Sequence, residues 1–336
     1  MTENSLYKIG ITHGDFNGIS YEIIMKALAD NKLSEICTPI IYGISKAALF
    51  YRKRLNFPDF SFQAIKNADQ AGGKKVSLIN IFDNKIAATP GISSPEAGKM
   101  AALALEMACL DLKSNKIDAV VTAPINKSNM PQETFPFKGH TEFFAHHFST
   151  PDAMMLMISD SLKMGFVTHH LPIEEVPKAI NEELILKKIK ILERSLKSDF
   201  LLTNPKIAVL ALNPHAGDHG VIGKEDEQII MPAIKKAFEL NINAFGPFPS
   251  DGFFASGQYQ KFDAVLAMYH DQGMIPFKLL SCEGGVNFTA GLPIVRTSPA
   301  HGTAYDICEK NIANEQSLRN AIYWAIDIVR NRQSKE

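Results

Sequence analysis

The sequence predicts an α/β protein with a largely parallel sheet, in two domains or in one large domain. Short apolar runs alternate along the chain with longer helical patterns. Most of the short runs are apolar throughout, as expected for strands that helices cover on both faces. The length of 336 residues also exceeds the roughly 100–200 residues of one ordinary domain.

Six apolar runs predict strands, at residues 9–12, 39–42, 76–81, 119–122, 207–212 and 264–268. Helical patterns cover residues 20–28, 174–196, 225–238 and 317–329. A further helix is predicted after Ser93, because Ser93 and Glu96 have the spacing of a capping box and Pro95 is tolerated in a first turn. From 100 to 112 this helix is apolar almost all round, which predicts burial in a core or an interface.

Composition excludes several classes of protein. The hydrophobic fraction of 46% and the charged fraction of 21% are those of a globular chain rather than a disordered one. The net charge of −1 excludes a global basic field for nucleic acid. No apolar run approaches the roughly 18–20 residues of a membrane span, and the first residues do not have the pattern of a secretory signal. The scattered cysteines form no CxxC pair, so we expect a cytoplasmic protein without a zinc ribbon or disulfides; they are Cys37, Cys109, Cys282 and Cys308.

Two common nucleotide motifs are missing. No G-x-G-x-x-G follows a strand, which disfavours an ordinary Rossmann dinucleotide site. Residues 217–224 resemble a P-loop, but Asp218 stands where glycine is needed and Glu225 where Ser or Thr is needed. We therefore reject a P-loop.

Histidines stand in three loop-like peptides that follow apolar runs, at residues 168–172, 213–217 and 268–273. In open α/β sheets ligands bind beyond the carboxyl ends of strands. Imidazole is a common ligand of Zn²⁺ and its transition-metal neighbours, so these histidines are candidate ligands of one metal ion. The alternative is that each histidine caps a turn or pairs with a carboxylate.

A second group of polar residues suggests an anion site. His140 and Thr141 stand at a probable helix start, where free amide groups favour anions. The alternative there is a plain helix cap, with Thr141 as the capping residue. Lys278, Asn287 and Arg296 interrupt otherwise apolar sequence, and the two cations are suited to phosphate or carboxylate. Solvated side chains are the alternative for these residues.

Taken together and in order, these peptides resemble the 4-hydroxythreonine-4-phosphate dehydrogenase family of vitamin B6 biosynthesis. The resemblance covers nearly the whole chain. The peptides that carry it are residues 14–22, 122–127, 139–142, 170–172, 213–217, 269–273 and 291–298.

The resemblance implies a divalent metal (zinc, magnesium or cobalt) held by His170, His215 and His270, in a site shared by the two subunits of a homodimer. The family's ligand directly precedes Leu-Pro, which selects His170 over His169. The resemblance also implies substrate contacts from His140, Thr141, Lys278, Asn287 and Arg296.

The chain near residues 301–314 is similar to the dinucleotide loop of isocitrate and isopropylmalate dehydrogenases, which bind NAD(P) without a Rossmann fingerprint. This similarity implies two α/β domains with a central cleft that holds the active site, and both chain ends in one domain. The expected domains are 1–135 with 303–336, and 136–302, which carries most metal and substrate residues. The expected cofactor contacts are His301, Gly302, Thr303, Ala304, Asp306 and Asn314.

The chain departs from the family pattern at several positions. The family's Gly-Asp-Pro-Ala-Gly-Ile-Gly-Pro-Glu is Gly-Asp-Phe-Asn-Gly-Ile-Ser-Tyr-Glu at residues 14–22. Asp218 replaces the usual Glu, Val221 a later His, and Ala300 the usual Asp. None of these changes removes a predicted metal ligand or phosphate contact.

The reaction implied is NAD-dependent oxidation of 4-phosphooxy-L-threonine to 2-amino-3-oxo-4-phosphooxybutanoate, which loses CO₂ to give 3-amino-2-oxopropyl phosphate. Asp251 and Asp271 are candidate general bases, although either is equally suited to orienting a ligand imidazole. Lys278 is a candidate for proton transfer as well as for phosphate binding.

Three other functions compete with this one. The first is the same chemistry on threonate or erythronate 4-phosphate, the second a metal-dependent phosphohydrolase, and the third a non-catalytic phosphoanion-binding protein. The dinucleotide-like segment argues against the last two.

Overall fold

The computed structural model describes residues 6–29, 32–58, 60–82, 86–281 and 284–335. The chain divides into two compact units. The first comprises Met1–Pro151 and Leu292–Arg330, and the second Asp152–Gly291 and Asn331–Glu336. Strands and helices alternate through both, which confirms the predicted α/β class.

The strands are β1 (Tyr7–Thr12), β2 (Cys37–Gly43), β3 (Gln63–Ile65), β4 (Ser77–Asn80), β5 (Ala119–Thr122), β6 (Met154–Ile158), β7 (Lys163–Phe166), β8 (Lys206–Leu210), β9 (Asn243–Phe248), β10 (Ala264–Ala267), β11 (Val286–Ala290) and β12 (Val295–Pro299). The α-helices are α1 (Ser20–Leu28), α2 (Lys32–Ile36), α3 (Ser45–Arg54), α4 (Pro95–Lys113), α5 (His140–His147), α6 (Val176–Ala179), α7 (Glu182–Ser198), α8 (Met231–Glu239), α9 (Ser250–Ala255), α10 (His270–Ser281) and α11 (Gln316–Gln333).

The strands of the first unit follow the order β3-β4-β2-β1-β5-β12, and every recorded pairing is parallel. β2 and β5 are buried along their whole length, as their mainly apolar sequences predict. β12 was not predicted, because Arg296, Thr297 and Ser298 break its apolar pattern. All five of its residues are nevertheless buried.

The strands of the second unit follow the order β11-β6-β7-β10-β8-β9. β7, β10, β8 and β9 are parallel, whereas β6 pairs antiparallel with both β11 and β7. Only residues 159–162 join β6 to β7. That connection is too short for the crossover of a dozen or more residues that parallel strands need, so the two strands form a hairpin.

The unit limits differ from the predicted ones at 135 and 303. β12 pairs with β5, which brings Thr297 opposite Val121 and places this strand in the first unit. α5 belongs to the same unit, where the rings of Phe143 and Phe135 stack with centroids 5.3 Å apart. Both elements had been assigned to the second domain.

Two predicted helices begin or break elsewhere. The pattern at 174–196 is interrupted at the extended Ile180, and Asn181 starts α7 afresh by accepting a hydrogen bond from the Leu184 amide at 2.9 Å. The cap of α4 is Ser94 rather than Ser93, because its hydroxyl accepts from the Ala97 amide at 3.2 Å. Leu110 is 61% exposed, so α4 is not buried all round within the single chain.

Three of the four cysteines are free thiols, namely Cys37, Cys109 and Cys308, while Cys282 lies outside the described residues. Across the described ranges, none of the helices combines the length and apolar character of a membrane span.

His13 is a fully buried imidazole directly after β1. Its Nε2 donates to the Met100 carbonyl at 3.3 Å, and its ring stacks against Phe16 and Tyr21. Burial lowers the pKa of His13 to about 4, against a smaller opposing effect of the Met100 bond. The imidazole is therefore neutral in the folded protein near neutral pH.

This burial predicts a loss of stability on mild acidification. Between about pH 6.5 and 4 the unfolded chain protonates His13 while the folded chain does not. The unfolded state then binds more protons, so stability falls as the pH falls through this window. His13→Gln keeps a donor for Met100 but does not titrate. We expect the unfolding free energy of the native protein to fall by about 3 kcal/mol relative to this variant between pH 7 and 4. Urea titrations measure the difference, and a constant difference would contradict the prediction.

Candidate active site

Three parallel strands of the second unit place the three candidate metal ligands at one edge of the sheet. β10 pairs with β7 on one side and β8 on the other. His170 follows β7, His215 follows β8 and His270 follows β10, each within a few residues of the strand end. Because parallel strands end at the same edge, the loops with these histidines start side by side.

Two of the three imidazoles are close together. The ring centroids of His170 and His270 are 6.2 Å apart. His270 Nδ1 lies 2.6 Å from a carboxylate oxygen of Asp271, which leaves its Nε2 for a ligand. Asp271 thus has the geometry of a residue that orients the imidazole. His169, by contrast, uses Nδ1 to accept from the His170 amide at 3.0 Å.

The third imidazole does not complete a metal-binding group in one chain. In the part of the chain that the structure describes, no three His, Cys, Asp or Glu side chains are grouped so that they could hold a metal ion. The donor set itself suits a cation, since three neutral imidazoles are a common zinc ligand set. The assignment of His170, His215 and His270 as metal ligands stays a prediction.

His215 stands in a left-handed turn. The five residues from His215 to His219 all have φ between 43° and 82°. Such a conformation costs roughly 1–2 kcal/mol for each residue with a side chain, and only Gly217 adopts it freely. Strain of this kind persists only where surrounding contacts impose it, and it is concentrated at functional sites.

A buried carboxylate anchors the start of this turn. Asp226 is 1% exposed. Its two oxygens accept from the amides of Leu212 at 2.7 Å and Asn213 at 3.1 Å, and from the Asn213 side chain at 2.9 Å. Asp226 was not among the predicted site residues, because it lies within the predicted helix 225–238. That helix in fact begins with a π-helical turn, Asp226–Ile230, which places the carboxylate under the loop.

Gln272 connects three of the strand ends. Its Nε2 donates to the Ala211 carbonyl at 2.5 Å and the Ser250 hydroxyl at 2.8 Å, and its Oε1 accepts from the Met268 amide at 2.7 Å. The sequence contained a signal for this role, since Gln272 stands two residues after His270 in the family peptide.

A cavity of about 560 Å³ lies beside these loops in the second unit. Asp251, which is exposed at the start of α9, and Asp271 both line it, so the two candidate bases face one space. Lys278 is exposed on α10 and makes no hydrogen bond or ion pair within the described residues. Asn287 lies on β11, and its buried Oδ1 has no hydrogen-bond partner there.

The first unit contains a buried cation. Arg296 is 2% exposed, and its Nε and Nη2 donate to the Thr122 hydroxyl at 3.1 and 2.7 Å. Nη2 also donates to His140 Nδ1 at 2.9 Å. Burial lowers the pKa of Arg296 to about 9, which leaves the guanidinium charged at neutral pH.

His140 is held as a neutral hydrogen-bond donor. Because Arg296 donates to Nδ1, the proton of a neutral ring is on Nε2. Burial, and then the charges of Arg296 and Lys127, keep the pKa of His140 well below its ordinary value. Nε2 is buried and has no hydrogen-bond partner among the residues that the structure describes. The protein thus presents an unused N–H beside a buried cation.

The start of α5 adds backbone donors to this site. Its N-cap is Gly139, which has no side chain to bond the first amides, and Thr141 is the second residue of the helix. The alternative reading of Thr141 as the cap is therefore wrong. Sequence reasoning missed Lys127, whose Nζ would be 3.9 Å from a Cβ placed on Gly139.

The predicted cofactor segment has one half-buried imidazole and several exposed residues. His301 Nδ1 donates to the Gly302 carbonyl at 3.0 Å, while its buried Nε2 has no hydrogen-bond partner in the described part of the chain. Burial lowers the pKa of His301, so Nε2 is a vacant acceptor in the neutral ring. Ala304 has left-handed backbone angles. The exposed residues are Gly302, Asp306 and Asn314, and Asn314 Oδ1 also accepts from the Gln316 amide at 2.8 Å.

Comparison with known proteins decides the family. The family model described as pyridoxal phosphate biosynthetic protein PdxA matches residues 35–325. The chain belongs to this family. A 4-hydroxythreonine-4-phosphate dehydrogenase from Bacteroides thetaiotaomicron is 48% identical over 100% of this chain and 92% of its own. The crystal structure of the enzyme of that name from Klebsiella pneumoniae has a TM-score of 0.83 and 32% identity, and covers 97% of this chain and 99% of its own. The predicted family is confirmed.

Two further comparisons bear on substrate and fold. An Oceanobacillus iheyensis member with the provisional name D-threonate 4-phosphate dehydrogenase is 39% identical over 95% of this chain and 97% of its own. Isocitrate dehydrogenase from Methylococcus capsulatus has a TM-score of 0.50 at 12% identity and covers 98% of this chain and 87% of its own. The second match concerns the fold alone and confirms the predicted isocitrate dehydrogenase-like class.

The contacts of Arg296 predict that the Thr122 hydroxyl contributes strongly to the stability of the protein. Thr122→Val keeps the shape of the side chain but removes the hydroxyl that accepts two bonds from the buried guanidinium. We expect a loss of about 2–3 kcal/mol in the free energy of unfolding, the usual cost of leaving a charged donor unsatisfied. Thr122→Ser, which retains the oxygen, is the control and should lose about 1 kcal/mol or less. Equal losses in both variants, measured by chemical denaturation, would show that the methyl group matters rather than the hydrogen bonds.

Proposed function

We propose that this protein oxidises the 3-hydroxyl of 4-phosphooxy-L-threonine with NAD(P) and a divalent metal. The product, 2-amino-3-oxo-4-phosphooxybutanoate, then loses CO₂ to give 3-amino-2-oxopropyl phosphate in pyridoxal phosphate biosynthesis. The observation that carries the proposal is the buried group of Arg296, Thr122 and His140 with its unpartnered Nε2–H. The names of the most similar relatives support the same substrate.

In the first unit, the group around Arg296 would bind one anionic end of the substrate. Arg296 supplies a positive charge that Thr122 and His140 hold in place. The neutral His140 donates Nε2–H, and the start of α5 with Thr141 adds amide and hydroxyl donors. Because burial already holds this donor in position, little reorganisation is needed when the anion binds.

In the second unit, different residues would serve the reacting and phosphate ends. Lys278 offers a charge without an ionic partner in the described residues, and Asn287 offers a buried amide whose Oδ1 is unused. Asp251 is the better candidate for general base, because Asp271 is bonded to His270. Both carboxylates line the same cavity.

His170, His215 and His270 would hold the metal. When bound, a divalent cation lowers the pKa of the substrate hydroxyl and stabilises the negative charge that develops on its oxygen. Asp271 fixes the ring orientation of His270, and Asp226 fixes the loop that carries His215.

The segment with His301, Gly302, Thr303, Ala304 and Asp306, together with Asn314, would bind the dinucleotide, which accepts the hydride from carbon 3. A vacant acceptor at His301 Nε2 and the open space at Gly302 support this role. The choice between NAD and NADP, like the cytoplasmic location, stays a prediction.

A homodimer with shared sites would complete the metal centre. One chain does not group three ligands within its described residues, which a ligand from the partner subunit would remedy. α10 begins at His270 and exposes two large apolar side chains beside the cavity, Ile275 at 60% and Leu279 at 74%. Apolar exposure of this extent on one helix face is typical of protein contact surfaces.

The substrate assay tests this proposal directly. We expect NADH formation from 4-phosphooxy-L-threonine with a kcat/KM at least about tenfold above that for D-threonate 4-phosphate, since one misplaced or unmatched polar group costs about 1.4 kcal/mol or more. The Oceanobacillus relative makes the sugar acid the second candidate. A higher kcat/KM for the sugar acid would show that D-threonate 4-phosphate, rather than 4-phosphooxy-L-threonine, is the substrate. Release of phosphate without NADH would contradict both.

Two histidines of the left-handed turn give a matched test of the metal assignment. His215→Ala should abolish divalent-cation binding in calorimetry and reduce kcat/KM by about a thousandfold or more, because a ligand of the reacting centre is lost. His219→Ala is the control, since His219 is exposed in the same backbone conformation and is no predicted ligand. Similar losses in both variants would attribute the effect to the turn and overturn the assignment.

The same variant tests the shared site. If His215 and Lys278 serve one site from different chains, mixing His215→Ala with Lys278→Ala should restore activity up to one intact site for each mixed dimer. No recovery under verified subunit exchange would place the two residues on one chain.

A further inference from the structure

The end of β1 carries a buried carboxylate that the proposed reaction does not use. Asp15 is fully buried. Its Oδ2 accepts from the Tyr305 hydroxyl at 2.7 Å and from Asn129 Nδ2 at 2.8 Å, and its Oδ1 accepts from the Asn17 amide at 2.9 Å. These bonds offset the cost of removing the charge from water.

Tyr305 connects this carboxylate to the predicted cofactor segment. It directly follows the left-handed Ala304 and is separated from Gly302 by two residues. Its hydroxyl also accepts from Asn126 Nδ2 at 3.1 Å. Burial, and then the bond to Asp15, raise the pKa of Tyr305, so the phenol stays a donor.

Backbone contacts hold the same segment against the same loop. The Thr303 carbonyl accepts from the Ile19 amide at 3.0 Å. A Cβ on Gly18 would lie 2.5 Å from that carbonyl, so the close approach requires glycine. The Cys308 thiol lies 3.3 Å from the Asn17 carbonyl. The Tyr305 hydrogen bond differs from these contacts because its acceptor is a carboxylate rather than a backbone carbonyl.

We infer that Tyr305 is a positioning residue whose hydroxyl, bonded to Asp15, holds residues 301–306 in the conformation that receives the dinucleotide. The inference rests on the proposed function, since it takes this segment to bind NAD(P). Within the described residues, the Tyr305 side chain makes no hydrogen bond to the predicted metal ligands or to the Arg296 group, so we expect its effect to fall on the cofactor.

Tyr305→Phe tests the inference by removing one oxygen atom and leaving the ring. We expect NADH to bind about tenfold more weakly, in fluorescence titrations, and the KM for NAD to rise by a similar factor. The KM for the phosphorylated substrate should stay within about twofold, because the substitution leaves the residues proposed to bind that substrate unchanged. Tyr323→Phe is the matched control, because Tyr323 is 37% exposed on α11 and makes no hydrogen bond in the described residues.

A double-mutant cycle identifies the partner. Asp15→Asn should weaken NADH binding to a similar extent, and the double variant Asp15→Asn with Tyr305→Phe should be no weaker than the worse single variant. Additive losses would show that the two groups act independently, which would overturn the assignment of Asp15 as the anchor.

Hydrogen exchange separates the inference from the proposed function. In Tyr305→Phe, amides of 303–308 should exchange faster than in the native protein and in Tyr323→Phe, with or without cofactor. If the native protein binds no NAD(H), the proposed function fails, while faster exchange still supports the anchoring of the segment. Unchanged exchange together with unchanged NADH affinity overturns the inference. An equal rise in both KM values with a lower Tm also overturns it, since that pattern marks general destabilisation.

Discussion

The parallel alignment of strands is the constraint on which both halves of this molecule depend. A parallel strand needs a crossover back to its starting edge, so the loops at the carboxyl edge are the ones free to carry chemistry. In the first unit β1 and β5 end at Thr12 and Thr122, and the buried groups Asp15 and Thr122 stand at this edge. In the second unit β7, β10 and β8 deliver His170, His270 and His215 in the same way. Each unit therefore has polar groups at one edge of an apolar sheet. The register of the strands determines where those groups lie.

Buried charges hold the loops at these edges in place. Asp15 binds the segment that carries Tyr305, Asp226 binds the loop before His215, and Arg296 binds His140. The two carboxylates accept hydrogen bonds from neutral amides and a hydroxyl, whereas Arg296 donates to a neutral hydroxyl and a neutral imidazole. A charge-assisted bond is about twice as strong as a neutral one, and breaking it leaves a buried ion uncompensated. A loop fixed in this way has few alternative conformations, which suits residues that must meet a small substrate with accuracy.

The sequence predicted those parts of the molecule that depend on local pattern. α1 was predicted with its observed limits, and β5 likewise, because apolar periodicity alone specifies them. β12 was missed, since Arg296 in a fully buried strand looks like an exposed residue until its partners Thr122 and His140 are known. The left-handed turn at His215 was equally invisible, because no alanine or histidine in a sequence signals positive φ. Family peptides pointed to His140, Arg296 and the metal-ligand candidates, but not to Asp226 or Tyr305, whose contacts are distant in the chain.

The predicted cofactor segment, residues 301–306, is held in place without the glycine fingerprint of a Rossmann fold. In a Rossmann fold, glycines let the backbone turn tightly and approach the pyrophosphate. Here Ala304 adopts a left-handed conformation that costs roughly 1–2 kcal/mol, which an isolated loop would relax. The bond from Tyr305 to the buried Asp15, with the Ile19 to Thr303 backbone bond, opposes that relaxation. A segment that is already held in one conformation loses less conformational freedom on binding any ligand, so part of the ordering cost is met during folding. The glycine that the arrangement does need, Gly18, lies outside the segment, where it makes room for the Thr303 carbonyl. The glycine that permits this close contact between backbones therefore lies almost the whole chain away from the loop it serves.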